Sequence, residues 1–221
     1  MTRLCIFDLD GTLLNTLGGI RHYLNLALLQ IGIAPVSEEQ TRIFVGNGAA
    51  KLIERALRAA GKDTDTPEGR ELYNSALSCF LSSYNADPNY LTDVYTGIPE
   101  LLSALCERGI GLAVLSNKPH DAVEPLVRHY FGDVFSFMAG GRPGVPLKPA
   151  PDAVLSICRE AGVDAADTAF IGDSDVDMLT AHAYGAGKAI GVLWGFRSRE
   201  ELLRCGADVT VSDPMDILDA I

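Results

Sequence analysis

The sequence predicts an α/β fold, in which an open, doubly wound parallel sheet has a small helical domain inserted after its first strand. Two observations lead to this prediction. A short apolar run, Leu4–Phe7, opens the chain and is followed by a long stretch with helical patterns alone. From Leu91 onward, short apolar runs alternate with helical segments, which is typical of a parallel sheet covered by helices. We therefore expect an α/β core over 1–16 and 86–221 and a helical domain over 17–85.

The inserted segment carries four helical patterns. Apolar residues recur at helical spacing in the first, and Gly32 is placed to end that helix. Ser37 and Gln40 have the form of a capping box at the start of the second. Thr66 and Pro67 are typical of an N-cap and a first helical residue. The predicted helices span 18–30, 38–44, 49–60 and 67–84.

The rest of the chain alternates between helices and strands. Gly109 closes the first helix of this part, and a buried strand follows at once. Asp213 followed by Pro214 is typical of the start of a last helix. The predicted strands span 110–115, 134–138, 168–172, 189–193 and 207–211. The predicted helices between them span 99–108, 119–130, 151–160 and 175–184.

The composition argues against several classes of protein. The chain has 221 residues and a formal net charge of -11, without a basic stripe that could neutralise a nucleic-acid backbone. Its five cysteines form no C-x-x-C pair, which disfavours a disulfide framework and a zinc site. No apolar run is long enough to span a bilayer, and the first residues do not form a signal peptide. We expect a cytoplasmic monomer or homodimer that binds neither nucleic acid nor membrane.

Two carboxylates follow the first strand at a spacing that suits catalysis. Asp8 and Asp10 stand at positions i and i+2, so their side chains share a face if the strand continues that far. Carboxylates this close repel each other unless one is protonated or a cation lies between them. Alone, the segment is best interpreted as a solvated acidic turn. With suitable partners, Asp8 becomes a candidate phosphate-accepting nucleophile.

Three other predicted strand ends carry polar side chains. Ser116 and Asn117 offer groups that hydrogen-bond phosphate oxygens. Lys148 lies between prolines that stiffen its loop. Asp173 and Asp177 belong to a carboxylate-rich segment that suits a hard cation such as Mg²⁺. Taken one at a time, these segments are better interpreted as a helix cap at Ser116 and Asn117, a surface lysine at Lys148 and an acidic helix N-terminus after Asp173. Ligands of such sheets bind beyond the carboxyl ends of the strands, so we expect the four strand ends to form one site.

Together these motifs resemble those of the haloacid dehalogenase superfamily of phosphohydrolases. The shared motifs are D-x-D-G-T-L at 8–13, Ser-Asn at 116–117, Lys-Pro at 148–149 and G-D-S-x-x-D at 172–177. The resemblance implies a Rossmann-like core, and the helical insertion looks like the small α-helical cap of that superfamily. Within it, similarity to phosphoglycolate phosphatases rests on the segments 45–48, 95–99, 148–152 and 194–195. Asn15 stands where the family pattern has an aspartate.

The resemblance implies a mechanism of phosphoryl transfer. Asp8 would attack phosphorus and form an aspartyl-phosphate. Asp10 would protonate the leaving alkoxide and later deprotonate the attacking water. Mg²⁺ would be held by Asp8, Asp173 and the main-chain carbonyl of Asp10. True dehalogenases of the superfamily lack an aspartate at the position of Asp10, so its presence favours phosphoryl transfer over cleavage of a carbon–halogen bond.

Further residues are expected to hold the substrate or to support the reacting groups. By the same resemblance, the groups that would hold the phosphoryl oxygens are Thr12, Ser116, Asn117 and the catalytic lysine Lys148. Ser174 and Asp177 would support these groups from behind. In the cap, the main-chain amides of Gly46, Asn47 and Gly48 would contact a substrate carboxylate if the cap closes over the site.

The sequence thus predicts a Mg²⁺-dependent phosphatase that acts on a small phosphorylated metabolite, with 2-phosphoglycolate as the first candidate. A pyrophosphatase, a nucleotidase and a sugar phosphomutase share the core and stay open as alternatives. A signalling receiver domain also uses an aspartate acceptor. That acceptor does not lie on the first strand, however, and the helical insertion would have no purpose there. The completeness of the motif set argues against a catalytically silent scaffold.

Overall fold

The computed structural model describes residues 1–221, and the fold is α/β with a parallel sheet, which confirms the predicted class. The chain divides into two compact units. One is formed by Met1–Asn15 together with Val94–Ile221, and the other by Thr16–Asp93. The first contains the sheet and its covering helices, and the second is helical. No helix combines the length and the apolar character that crossing a lipid bilayer requires.

The first strand lies in the middle of a six-stranded parallel sheet with the order β5-β4-β1-β6-β7-β8. Its strands are β1 Leu4–Phe7, β4 Gly111–Pro119, β5 Phe137–Gly141, β6 Thr168–Gly172, β7 Lys188–Val192 and β8 Val209–Val211. A separate two-stranded pair consists of β2 Leu14–Asn15 and β3 Asp93–Val94. The chain fills one side of β1 with β4 and β5 and then crosses to the other side. The carboxyl end of β1 is therefore the topological switch point, where ligands bind in such sheets.

The strand register aligns three strand ends. Phe7, the last residue of β1, lies opposite Val114 on β4 and Ile171 on β6. β1 is buried on both faces: Phe7 packs in one apolar cluster with Leu126, and Ile6 packs in a second. The covering helices are α5 Ile98–Glu107, α6 His120–Phe131, α7 Asp152–Ala161, α8 Asp175–Tyr184, α9 Arg199–Arg204 and α10 Ile217–Ala220. Burial on both faces fixes the strand in register and holds whatever follows it.

The helical unit is built from α1 Leu17–Gln30, α2 Glu38–Phe44, α3 Gly48–Ala59 and α4 Pro67–Ala86. The predicted capping box is present, because Ser37 accepts from the Gln40 amide and the Gln40 side chain accepts from the Ser37 amide. This compact unit continues past α4 to residue 93. The reason lies within the unit: Tyr23 donates to the carbonyl of Asp87 at 2.9 Å. A Cβ at Gly19 would lie 2.4 Å from the carbonyl oxygen of Tyr90, so only glycine permits this approach.

Some element boundaries differ from the sequence prediction. β4 continues to Pro119, beyond the predicted end at Leu115. The residues added at this end, Ser116, Asn117 and Lys118, have buried polar side chains. β5 begins at Phe137 rather than near Val134, which is exposed. Helix α9 was not expected, although Ser198 and its capping box mark its start. The predicted last helix consists of a 3₁₀ turn, Pro214–Asp216, followed by α10.

Candidate active site

A cluster of buried charged residues lies at the carboxyl end of β1. Asp8 follows this strand directly, and its amide donates to the carbonyl of Ile171 at 2.9 Å, which extends the pairing with β6 by one residue. Asp8, Lys148, Asp173 and Asp177 are all buried. The sequence predicts that these strand ends meet, and the structure places the carboxylate oxygens of Asp8, Asp173 and Asp177 within 4.8 Å of one another, with the Lys148 ammonium beside Asp8 and Asp177.

Lys148 is shared between two carboxylates. Its ammonium lies 2.9 Å from Asp8 Oδ1 and 2.7 Å from Asp177 Oδ1. Burial alone would lower the pKa of this ammonium, but the charges of Asp177 and Asp8 outweigh burial and raise the pKa above its usual value. Lys148 therefore stays charged and offsets part of the negative charge around Asp8.

The surroundings of the carboxylates disfavour their ionised form. Burial, followed by the charge of Asp177, raises the pKa of Asp8 to about 7, although Lys148 opposes the shift. Burial and the charges of Asp177 and Asp8 likewise raise the pKa of Asp173 well above its ordinary range. Three buried carboxylates that destabilise one another in this way need protons or a cation to remain together.

The donor set fits a divalent cation bound through oxygen. Carboxylate oxygens of Asp8, Asp173 and Asp177 lie within 4.8 Å of one another. Asp8 Oδ1 is buried, and the Lys148 ammonium lies 2.9 Å from it. Mg²⁺ prefers oxygen ligands, and carboxylates are typical protein ligands of this ion. The sequence places Asp177 in a supporting role, whereas the structure makes it part of this carboxylate cluster.

Both carboxylate oxygens of Asp173 accept hydrogen bonds from neighbouring groups. Thr12 donates to Oδ1 at 3.2 Å, and the amide of Phe196 donates to Oδ2 at 2.7 Å. A Cβ at Gly195 would lie 2.2 Å from the Cβ of Asp173, so the loop after β7 approaches through a glycine. The indole of Trp194 donates to the carbonyl of Thr12 at 3.0 Å and ties this loop to the segment after β1. Thr12 thus orients a carboxylate.

Asn117 fixes the loop that carries Lys148. Its carboxamide donates to the Lys148 carbonyl at 3.0 Å and accepts from the Lys148 amide at 2.8 Å. Ser116 is buried beside it, and its hydroxyl accepts from the amide of Lys118 at 3.3 Å. The sequence predicts that both side chains bind phosphoryl oxygens, while the structure shows the amide of Asn117 bonded to the Lys148 backbone.

Asp177 is tied to the turn that begins α8. Its Oδ2 accepts from the Ser174 amide at 3.0 Å and from the Ser174 hydroxyl at 2.6 Å. A Cβ at Gly172 would lie 2.3 Å from the Cβ of Asp177, so the last residue of β6 leaves room for this carboxylate. Ser174 therefore holds Asp177, which in turn accepts a hydrogen bond from the Lys148 ammonium at 2.7 Å.

Sequence reasoning missed Lys118, which contacts the second aspartate of the motif. Its ammonium donates to Asp10 Oδ1 at 2.8 Å and to Asp10 Oδ2 at 3.1 Å. The available signal was its position, because Lys118 directly follows Ser116 and Asn117 at the predicted strand end. The Phe196 amide and Gly195 were also missed, since a main-chain donor and a glycine have no chemical signature of their own.

Gly46 and Asn47 lie in the helical unit, in the turn between α2 and α3. Asn47 Oδ1 accepts from the Arg55 guanidinium at 2.6 Å, and the same guanidinium donates to the carbonyl of Phe44 at 2.8 Å. Gly46 and Gly48 both have positive φ, at 110° and 80°. Arg55 and the glycines therefore set the shape of this turn.

Comparison with known proteins gives one consistent result. A family model described as haloacid dehalogenase-like hydrolase matches residues 2–185. Phosphoglycolate phosphatase 1 of Pseudomonas aeruginosa is 32% identical over 219 residues, which cover 99% of this chain and 79% of that protein. The phosphoglycolate phosphatase of Rhodospirillum rubrum is 34% identical over 214 residues, covering 96% of this chain and 88% of that protein.

Solved structures agree with these relatives. A protein of Lactobacillus delbrueckii subsp. bulgaricus, provisionally assigned as a phosphoglycolate phosphatase, superposes with a TM-score of 0.93 at 32% identity. The superposition covers 100% of this chain and 99% of that one. A second provisional phosphoglycolate phosphatase, from Haemophilus somnus, gives a TM-score of 0.90 at 30% identity over 99% of this chain and 97% of that one.

Proposed function

The chain belongs to the haloacid dehalogenase-like hydrolase family, with phosphatases as relatives over nearly its whole length, and we propose that it is a Mg²⁺-dependent phosphatase of small phosphomonoesters. The proposed first substrate is 2-phosphoglycolate, on which several relatives are named to act. One observation carries the proposal. A buried aspartate at the topological switch point lies between a lysine ammonium and an acidic cluster that suits a cation.

In the proposed reaction, Asp8 is the nucleophile. One of its carboxylate oxygens attacks phosphorus, the bond between phosphorus and the ester oxygen breaks, and an aspartyl-phosphate forms. Asp10 gives its proton to the departing alkoxide. In the second half, Asp10 takes a proton from water, the water oxygen attacks phosphorus, and inorganic phosphate and the Asp8 carboxylate are released. Splitting the displacement in this way replaces one difficult step by two easier ones.

The remaining residues of the core would neutralise and orient charge. Lys148 lies beside Asp8, so its ammonium is placed to bind an oxygen of the transferring phosphoryl group. Ser116 is proposed to bind the same group. Asn117 is proposed to act through its two hydrogen bonds to the Lys148 backbone, and Thr12 through its hydrogen bond to Asp173.

The carboxylates would hold the cation. We propose that Asp8, Asp173 and the main-chain carbonyl of Asp10 are its protein ligands, with Asp177 and Ser174 behind them. When bound, Mg²⁺ supplies positive charge that offsets the repulsion between the substrate phosphate and the site. This also explains how a protein with a formal net charge of -11 can accept an anionic substrate.

The helical segment 17–85 is proposed to serve as the cap domain that sets specificity. The main-chain amides of Gly46 and Asn47 are proposed to bind the carboxylate of the substrate. Support comes from the turn itself, in which positive φ at Gly46 and the Arg55 contact to Asn47 define the backbone. We further propose that the protein works in the cytoplasm as a monomer or homodimer.

The test is phosphate release from a panel of phosphate compounds with and without Mg²⁺. The panel contains 2-phosphoglycolate, a sugar phosphate, a nucleotide and pyrophosphate, so that each alternative predicted from the sequence has its own substrate. Asp8→Asn is expected to abolish turnover, whereas Asp133→Asn, which changes a highly exposed carboxylate, keeps it. Wild-type turnover by Asp8→Asn, or no hydrolysis of any compound with Mg²⁺, would contradict the proposal.

A further inference from the structure

Lys118 is a buried cation that the proposed reaction does not use. It belongs to β4, and its side chain is only 3% exposed, against 18% for its partner Asp10. A buried ammonium is unfavourable unless an anion compensates it, and the Asp10 carboxylate does so through both of its oxygens, at 2.8 and 3.1 Å. In this arrangement, however, the group that should reach the leaving oxygen is bound to a lysine.

The backbones of both partners are placed by main-chain contacts. Lys118 lies near the end of β4, where the pairing with β5 is irregular, and a Cβ at Gly140 on β5 would lie 2.7 Å from the Lys118 carbonyl oxygen. Asp10 lies outside β1 and forms an isolated bridge with Leu14. The Asp10 side chain, which is 18% exposed against 3% for Lys118, is the less confined of the two.

We propose that Lys118 selects substrates with a negatively charged leaving group, by exchanging Asp10 for the anionic group of the substrate. This inference rests on the proposed phosphatase function. Asp10 must contact the ester oxygen of the substrate to protonate it. In 2-phosphoglycolate, a single methylene separates that ester oxygen from a carboxylate. The ammonium that now binds Asp10 is thus within reach of the substrate carboxylate when Asp10 reaches the ester oxygen.

The exchange has an energetic consequence that depends on the substrate. A leaving group with a carboxylate brings its own negative charge to Lys118, which replaces the attraction that Asp10 gives up when it turns toward the ester oxygen. A neutral leaving group brings no such charge, so Asp10 gives up its ion pair with Lys118 without a replacement. Lys118 therefore favours acidic over neutral leaving groups, and it does so from the core, independently of the helical unit.

The test compares two esters that differ in one carboxylate, 2-phosphoglycolate and ethyl phosphate, with Mg²⁺ present. The measured quantity is the ratio of their kcat/KM values in wild type, Lys118→Met, Lys118→Arg and Lys188→Met. Lys188 is an exposed lysine at the start of β7 and serves as the matched control. A hydrogen bond to a charged group is worth about 1.5–3 kcal/mol, so the ratio should fall roughly 10- to 100-fold in Lys118→Met. Lys118→Arg and Lys188→Met should keep most of it.

A structural role alone gives a different result. If Lys118 only positions Asp10, both esters lose activity equally in Lys118→Met, and the unchanged ratio overturns the inference while the phosphatase function stands. Equal use of both esters by the wild type overturns it as well. Thermal melting shows whether Lys118→Met is folded, and Lys118→Gln takes its place if it is not. If the wild type hydrolyses neither ester, the result contradicts the proposed phosphatase function itself.

Discussion

Binding of Mg²⁺ should depend strongly on pH between pH 5 and 8. The cation needs ionised carboxylates, but in the protein without a cation burial and Asp177 raise the pKa of Asp8 to about 7. The pKa of Asp173 is also raised, by burial first and then by Asp177 and Asp8. At pH 8 Asp8 is mostly ionised and ready to bind, whereas at pH 5 it holds a proton that Mg²⁺ must displace.

The size of the effect follows from the position of that pKa. Each pH unit below the pKa weakens metal binding about tenfold for every proton released. Between pH 8 and pH 5, the proton on Asp8 alone should therefore raise the Kd for Mg²⁺ roughly 100-fold, and a second proton on Asp173 would raise it further.

Stability without a cation should change with pH in the opposite sense to metal binding. Asp8 has a higher pKa in the folded than in the unfolded chain, so the folded state binds the extra proton between about pH 4 and pH 7. Folding is then favoured at the acid end of this window, and stability falls by up to about 1.4 kcal/mol per pH unit as the pH rises through it. Above pH 7, added Mg²⁺ should restore the loss.

Thermal melting curves at several Mg²⁺ concentrations, recorded at pH 5 and pH 8, measure both effects. The increase in Tm with Mg²⁺ should be large at pH 8 and small at pH 5, and isothermal titration calorimetry in buffers of different ionisation enthalpy should detect proton release below pH 7. Asp133→Asn is the matched control and should behave as wild type. A Kd for Mg²⁺ that is the same at pH 5 and pH 8 would refute the reasoning.

Three substitutions test the supports of the site. Asn117→Ala removes both hydrogen bonds to the backbone of Lys148, so kcat for phosphate release should fall about 100-fold by misplacement of the lysine, with Mg²⁺ binding in melting curves nearly unchanged. Equal losses in kcat and in Mg²⁺ binding would contradict this role of Asn117. Gly195→Ala places a methyl group against Asp173, so the Kd for Mg²⁺ in calorimetry should rise about 10- to 100-fold, and an unchanged Kd would show that the loop yields. Ser37→Ala removes a helix cap, so chemical denaturation should show a loss of about 1 kcal/mol with unchanged kcat, and unchanged stability would contradict the capping account.

Most of the fold is predictable because apolar periodicity and helix caps are local signals. The alternation after Leu91, the capping box at Ser37 and helix 175–184 all depend on residues within a few positions of one another. The end of β4 is different. Asn117 and Lys118 are polar, and their partners, the Lys148 backbone and the Asp10 carboxylate, are distant in sequence. A polar strand end with remote partners looks like a loop until those partners are known.

Some features of the candidate site can likewise be predicted from local sequence, whereas others depend on distant parts of the chain. Carboxylates at strand ends are visible in the sequence, and the switch-point rule brings them together. What the sequence does not reveal is how each is held. The Phe196 amide on Asp173 and the close approach of Gly195 come from the loop after β7, where nothing but the fold indicates a role. Such supports carry no side-chain chemistry, so only three-dimensional structure identifies them.

The strand order shows how the proposed site could receive both a cation and a phosphate. β1 lies between β4 and β6, so Asp8 has different neighbours on its two sides. The β6 side supplies Asp173, and β4 supplies Lys118. Lys148, from the loop after β5, reaches across and pairs with Asp8 itself. The Lys148 ammonium also pairs with Asp177, so both signs of charge lie beside the proposed nucleophile on the β6 side, and Lys118 adds a positive charge on the β4 side. We expect a cation to bind at the carboxylates of Asp8 and Asp173 and a substrate anion to meet the two ammonium groups, with Asp8 between them.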